Sequence, residues 1–410
     1  MKRKIIASIA VACMMLVFVP MTSESQGILD RVKQKAKDKV NDRIDQKADK
    51  TMDKALDSTE NATKKKNAAT KSGPDKNTNA NGNEQSTDNN SPATPSLKAY
   101  ANYDFVPGEK ILFEDHFQDD QDGEFPAHWI LQSGQAVLNK INNEPAFFLT
   151  EANYVRVSPR MKAEKGYVPN DFTVEFDFYA NAGYYPLVLF NMADESGRNI
   201  QFGEDVATGY FARDYSGTYP GDKENFRNKW HHAAMVKKSS QIKCYVDQFR
   251  VLVIPDCGIF TPANVEVGGI GDMSNPIIFK NFRFAEGGGM NMKGKKFADN
   301  KIVTHGINFD IDKAIIRPES MGTINMIVQV LKDNPELKFE IDGHTDNSGA
   351  APHNLTLSQQ RSDAVKTQLV SMGVDASRLT TKGFGDTKPI SDNNSIEGKA
   401  NNRRVEFVKT

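Results

Sequence analysis

The chain has 410 residues, 38 % of them hydrophobic, and a formal net charge of -1. That length supports more than one domain, and the balanced charge excludes the global basic field that non-specific nucleic-acid binding needs. Three cysteines in all fit neither a disulfide-dense mini-domain nor a zinc site.

Lys2, Arg3 and Lys4 precede an apolar run from Ile5 to Met21, broken only by Ser8 and Pro20, and small residues follow in "TSESQ". This is the pattern of a secretory signal peptide over residues 1–25, cut after Ser25 because Ser23 and Ser25 then fill the two small-residue positions. A retained membrane anchor and lipidation of Cys13 are the competing readings. Against the second, the apolar run continues past Cys13 in "MMLVFV", where a lipidated cysteine should end it. No later segment approaches the roughly 18 apolar residues of a second span. The exported chain keeps Cys244 and Cys257. Whether they pair in an oxidising compartment stays open, because sequence does not show that their Cβ atoms meet.

Residues 26–57 read as a charged helix. Ile28, Val32, Ala36, Val40, Ile44, Ala48, Met52 and Leu56 recur every four residues among Asp, Lys and Arg. A step of four gains about 40° on a 3.6-residue turn, so the stripe winds around the helix. A membrane-surface or partner-binding helix and a solvated helix held by i,i+4 ion pairs both fit. The small, sparse apolar residues favour the second. Residues 58–97 are rich in Asn, Thr, Lys and Ser. They bury too little surface to offset ordering entropy and are expected to be a disordered linker.

From 98 to 286 the pattern changes to short alternating strands. "DFTVEFDFYA" puts Phe172, Val174, Phe176 and Phe178 on one face and Thr173, Glu175, Asp177 and Tyr179 on the other. "PLVLF", "WHHAAMVKK", "QIKCYVD", "FRVLVIP" and "IIFKNFRF" follow, with a hairpin turn near Asp247 and Gln248. Many short strands with little helical period indicate a β-sandwich. Glu175 and Asp177 are expected on a polar, outward sheet face. Tyr184, Tyr185, Tyr210, Tyr219 and Trp129 could stack on sugar rings, or be core and rim packing. "DDQDGE", Asp119 to Glu124, clusters oxygen ligands but lacks the spacing of a calcium loop. An acidic turn is the plainer reading, and no metal or cofactor is expected.

Residues 287–300 are a Gly- and Lys-rich hinge, and 301–410 alternate strands and helices, the mark of a two-layer α/β domain. "RPESMGTINMIVQVLKDNP" places Ile324, Ile327, Val328 and Leu331 on one helix face. A second helix is expected from Ser358, as N-cap, to Met372, with Gly373 as its stop. Asp346 follows directly on a strand, "LKFEIDGHT". Arg361 then falls in the first turn of the second helix, where a cation opposes the helix dipole. Such a pair suits a zwitterionic ligand, Asp346 taking the ammonium and Arg361 the carboxylate. It suits an internal Asp346–Arg361 salt bridge equally well. His344, with no second ligand at a metal spacing, is read as structural.

"INFDIDKAIIRPES", "IDGHTDNSG", "NLTLSQQRSDAV", "GVDASRL", "KGFGDTKPI" and "NNRRVEF" together resemble the OmpA-like peptidoglycan-binding domain, in the family's order. The resemblance implies non-covalent binding of the peptidoglycan stem peptide, with Asp346 and Arg361 on the zwitterionic end of diaminopimelate. It places Thr345, Asn354 and Leu357 at neighbouring contact positions, and Asp310 and Arg404 near the pocket. The small residues of "GAAPHN" depart from the charged residue the family often carries there.

The middle region resembles a concanavalin A-like jelly roll of the laminin-G type, through "DFTVEFDFYANAG", "NKWHHAAMVKKSSQIKCYVDQFRVLVIP" and "FKNFRF". Some enzymes of that fold cut β-glucans with three acids, of which Glu175 and Asp177 match two while Ala180 stands where the last is needed. The chain is therefore expected to be multidomain: signal peptide, charged helix, disordered linker, all-β jelly-roll sandwich, then the α/β OmpA-like domain. Its expected place is the periplasm of a Gram-negative envelope. It would be a wall anchor, not an enzyme. The jelly roll would hold a glycan or an envelope protein, and any outer-membrane contact would be peripheral. The rival reading is a wall- or glycan-processing enzyme targeted by its C-terminal domain.

Overall fold

The computed structural model describes residues 97–150, 154–181, 185–192, 194, 196–289 and 297–410. The expected signal peptide and charged helix, nearly all of the linker, and Tyr184 lie outside them. Fifteen strands come first: β1 (Lys110–Asp115), β2 (Trp129–Ser133), β3 (Ala136–Ile141), β4 (Glu144–Leu149), β5 (Val155–Pro159), β6 (Phe172–Ala180), β7 (Leu187–Met192), β8 (Gly197–Gln201), β9 (Asp205–Gly209), β10 (Ser216–Thr218), β11 (Lys229–Lys238), β12 (Gln241–Val246), β13 (Phe249–Ile254), β14 (Pro262–Gly269) and β15 (Ile277–Glu286). They make an eight-stranded sheet, ordered β13-β12-β11-β6-β15-β4-β3 with β1 also on β15, and a seven-stranded sheet, ordered β10-β9-β8-β7-β14-β5-β2.

Alternation explains the packing. Phe172, Val174, Phe176 and Phe178 of β6 join Val188 and Phe190 of β7 and Val265 and Val267 of β14 in one core between the sheets. Side chains of period two can fill such a core from both sides. The β12–β13 hairpin turns at Asp247, whose φ of 50° is a left-handed value that a short polar residue tolerates. Trp129 is fully buried among Phe113, Phe147, Phe279 and Phe282. Tyr219 is also buried, so of the expected sugar-stacking rings among the described residues only Tyr210 is strongly exposed, at 79 %. Cys244 and Cys257 are both buried, free thiols.

The C-terminal layer contains β16 (Lys301–Thr304), α1 (Met321–Asp333), β17 (Phe339–His344), α2 (Ala351–Ser371), β18 (Leu379–Gly385), α3 (Ile396–Asn402) and β19 (Arg404–Lys409). Its sheet runs β16-β19-β17-β18, with β17 and β18 parallel and α2 as their crossover. The helix lies close on the sheet because two positions carry no side chain. A Cβ on Gly343 would stand 2.3 Å from Ser358 O, and one on Gly383 2.4 Å from Gln359 N. The α1 stripe of Ile324, Ile327, Val328 and Leu331 is buried, as its spacing predicts. No helix of the described residues is long and apolar enough to cross a membrane.

Two expectations need correction. Helix α2 starts seven residues earlier than Ser358, with Ala350 as N-cap and a proline in its first turn, where a missing N–H costs nothing. Ser358 is an interior residue whose hydroxyl accepts from Gly385 N–H at 2.8 Å and donates to Leu355 O at 2.9 Å. The outward face of the eight-stranded sheet is also not a solvent face. Ala234, Val236 and Tyr245 from it share a second hydrophobic core with Tyr100, Tyr103, Phe105 and the α1 residues. Glu175 and Asp177 are only 4 % and 5 % exposed.

Those acids are held by cations from both sides. His232 Nδ1 lies 2.8 Å from Asp177 and its Nε2 3.7 Å from Glu175, while Arg317, from the C-terminal layer, reaches Asp177 at 3.2 Å and Glu319 at 2.9 Å. Burial acts to lower the His232 pKa, but the two carboxylates outweigh it and push the imidazole up to about 10. A histidine raised in the folded state stabilises fully below its unfolded value of about 6.5, and that contribution is lost as pH rises through the folded value. The melting temperature is therefore expected to fall between about pH 7 and 10, and a His232→Gln variant to show a flatter profile over that window. Thermal melts at closely spaced pH values check this; parallel profiles for the two proteins would contradict it.

Candidate functional site

Strand β17 ends at His344, and the chain turns at once through Thr345 and Asp346 towards α2. Thr345 N–H bonds to Gly385 O at 2.9 Å, which pins this turn to the neighbouring strand. Its hydroxyl is buried without a partner. Asp346 is 8 % exposed. One carboxylate oxygen accepts from Ser348 N–H at 2.9 Å, and the other takes Arg403 Nη1 at 2.5 Å. Burial acts to raise its pKa, but the Ser348 amide and Arg403 prevail and hold it below the usual range. Asn354, in the first turn of α2, donates to Asp346 O and Gly349 O and so fixes the loop. Leu357 is buried one turn later.

Because α2 begins at Ala351, Arg361 lies well inside the helix, not in its first turn. Its Nε donates to Lys313 O at 3.0 Å and its Nη2 to Asp310 O at 3.5 Å. Its guanidinium sits 5.0 Å from the centre of the Phe309 ring. Among the described residues no carboxylate lies within ion-pair distance of it. The internal Asp346–Arg361 salt bridge left open by the sequence is therefore not formed. Burial lowers the Arg361 pKa, Asp312 and Asp346 act against this, and Arg403 adds to the lowering. The Asp310 side chain is 42 % exposed and faces Lys313 at 3.6 Å.

The arginine that reaches Asp346 is Arg403, which the sequence reading passed over. Arg404, named instead, is buried and bonds Glu406, Asn402 O and Lys388 O. "NNRRVEF" contains both, and Arg403 stands between α3 and β19 while Arg404 opens the strand. The signal that separates them is register: Arg404 pairs with His344 across the ladder, so its neighbour falls at the strand end beside Asp346. Arg403 also ion-pairs with Glu114 of β1. His344 stacks on Phe384 at 5.2 Å. Burial, with Arg404 nearby, pushes its pKa down to about 4.

Two other candidates can be placed. Within "DDQDGE", Asp122 pairs with Lys140 at 2.7 Å and Asp120 accepts from Ala127 N–H at 2.9 Å. Ligand atoms of Asp120, Asp115 and His128 converge within 4.8 Å, but Asp115 already receives the Trp129 indole N–H and the Phe117 amide. Of the partial glucanase pattern, Asp177 meets Arg317, Glu175 meets His232 and Arg283, and Ala180 joins the sandwich core.

Residues 308–403 match the sequence model of the OmpA family, so the C-terminal layer is an OmpA family domain. Over 112 residues the chain is 41 % identical to the probable lipoprotein YiaD of Escherichia coli, covering 27 % of this chain and 51 % of that one. It is 41 % identical over 100 residues to outer membrane porin F of Pseudomonas fluorescens, 24 % of this chain and 31 % of the porin. The peptidoglycan-binding protein ArfA of Mycobacterium bovis is 38 % identical over 111 residues, 27 % of this chain and 34 % of ArfA. The chain thus spans about half of the first relative and about a third of the other two.

Proposed function

We propose that this protein binds peptidoglycan without covalent attachment and anchors an envelope component to the cell wall. The observation that carries the reading is Arg361: a half-buried guanidinium that among the described residues bonds two backbone carbonyls and no carboxylate, near enough to Asp346 to feel its charge. Asp346 takes the ammonium of the stem-peptide diaminopimelate and Arg361 its carboxylate. Thr345, with its unpartnered hydroxyl, Asn354, Leu357 and the Asp310 loop line the pocket. Arg404 is left with a structural role. The name of the mycobacterial relative agrees with this ligand, and the lipoprotein and porin relatives agree with an envelope location. Residues 1–25 act as signal peptide and export the chain. The sandwich of 98–286 is a concanavalin A-like jelly roll that holds a glycan or an envelope protein. The 287–300 segment connects it to 301–410.

Sedimentation of the full chain with insoluble peptidoglycan tests this. Wild type is expected in the pellet. Asp346→Ala and Arg361→Ala are each expected to weaken binding on the order of 30-fold or more, the usual effect of truncating a buried charged contact. Wild type in the supernatant, or variants that pellet equally well, would remove the stem peptide as ligand. No observation favours the glycan-processing alternative: of its three acids Glu175 and Asp177 are buried and Ala180 stands in place of the third.

A further inference from the structure

Arg403 is shared between two carboxylates from different parts of the fold. Nη1 meets Asp346 at the sheet end, and Nη2 meets Glu114 on the first strand of the sandwich. Glu114 is 5 % exposed and also receives Arg283, through Nε at 2.6 Å and Nη2 at 2.5 Å. Arg283 is anchored on the far side by His305 O and Asn308 Oδ1. The result is a chain of alternating charge, Asp346, Arg403, Glu114, Arg283, with no net charge. Burial acts to raise the Glu114 pKa, but Arg283, Arg403 and His116 hold it well below the usual range.

We propose that Glu114 of the sandwich sets the ligand preference of the stem-peptide pocket, by sharing the charge of Arg403 with Asp346 and so preserving Asp346 as an acceptor for ammonium. This rests on the wall-binding reading above. The physical argument is charge sharing. A carboxylate oxygen has two acceptor sites, so Asp346 bonded once to Arg403 and once to Ser348 keeps capacity for a ligand cation. With residue 114 neutral, the full charge of Arg403 would be answered by Asp346 alone, while Arg361 and Arg283 stay. The pocket gains a unit of positive charge, repels an ammonium and loses nothing towards a carboxylate. Glu114 does not touch the ligand; it is a positioning residue acting through Arg403.

The test uses the full chain and two soluble peptides: a stem tripeptide ending in diaminopimelate with its free amine, and the same peptide acetylated there. Calorimetry gives the ratio of their affinities. Wild type is expected to prefer the free amine. Glu114→Gln, which keeps an acceptor for Arg403, is expected to cut that preference by about tenfold, a modest share of what close charge pairs contribute. Arg403→Gln leaves Glu114 paired with Arg283 and frees Asp346, so it is expected to raise the preference. Opposite signs for the two variants are the signature, since loosened packing would lower both. If wild type and Glu114→Gln show the same ratio while Asp346→Ala abolishes binding, the role of Glu114 is overturned and the wall-binding reading stands. If Arg403→Gln lowers the ratio, the role of Glu114 is overturned even where Glu114→Gln does not fold. If wild type binds neither peptide, both fall together.

Discussion

Replacing Arg317 by alanine is expected to destabilise the protein by about 3–5 kcal/mol, the range for breaking a buried ion pair by removing one partner. The side chain joins the C-terminal layer to the sandwich, with Nη2 on Asp177 and Nε on Glu319. Asp177 would keep donors from His232 and Asn281. Glu319, 8 % exposed, would lose its ion-pair partner and stay buried. Arg317→Met is expected to do little better, because it restores volume and not charge. Adding Glu319→Leu to Arg317→Met should recover much of the loss, since apolar replacement of a whole buried pair is often neutral. Chemical denaturation measures all three. A loss below about 1 kcal/mol for Arg317→Ala, the level of an exposed pair, would mean that water reaches Glu319 and that the layers are not sealed there.

Trp129→Ala is expected to cost about 3–5 kcal/mol, as for other large-to-small changes at buried aromatics. Four phenylalanine rings stand within 5.1–5.6 Å of its ring centre, so the cavity has no flexible neighbour to refill it. A second term comes from the indole N–H, which donates to Asp115 at 2.9 Å. Trp129→Phe isolates that term and is expected to cost about 2 kcal/mol, the worth of a hydrogen bond to a charged acceptor, since Asp115 keeps His128 beside it. Thermal and urea melts distinguish the two. Equal losses would place the whole effect in the hydrogen bond.

Much of the fold is written in local patterns. The alternation of Phe172, Val174, Phe176 and Phe178 places β6 against a core, and the spacing of Ile324, Ile327, Val328 and Leu331 buries one side of α1. Gly373, at φ 92°, ends α2 where a left-handed residue is needed. The start of α2 was harder to read. Ser358 looks like a cap because hydroxyls commonly cap helices, yet the helix begins at Ala351 without any side-chain cap and uses the hydroxyl to meet β18. The outward acids misled for a deeper reason. Glu175 and Asp177 alternate with phenylalanine in the same way whether their partner is water or a layer carrying Arg317. That choice is made by tertiary packing and leaves no mark on a period-two pattern.

The pocket shows the same division. Asp346 and Arg361 are legible because their motif carries them, and the β17–α2 connection fixes where Asp346 stands. Arg403 was not legible, because one register step decides which of two adjacent arginines faces Asp346. Glu114 was less legible still: it is 289 residues from Arg403 in sequence and belongs to another module.

The seam between the modules also has a mechanical meaning. Beside the Glu114–Arg403 pair, Asn401 of α3 accepts from Ile111 N–H at 3.0 Å and donates to Ile111 O at 2.8 Å, an amide acting as one more rung on β1. A pull applied at Arg403 therefore enters the sandwich directly through β1 and is shared by several bonds at once. That load path runs in parallel with the covalent link between β15 and β16.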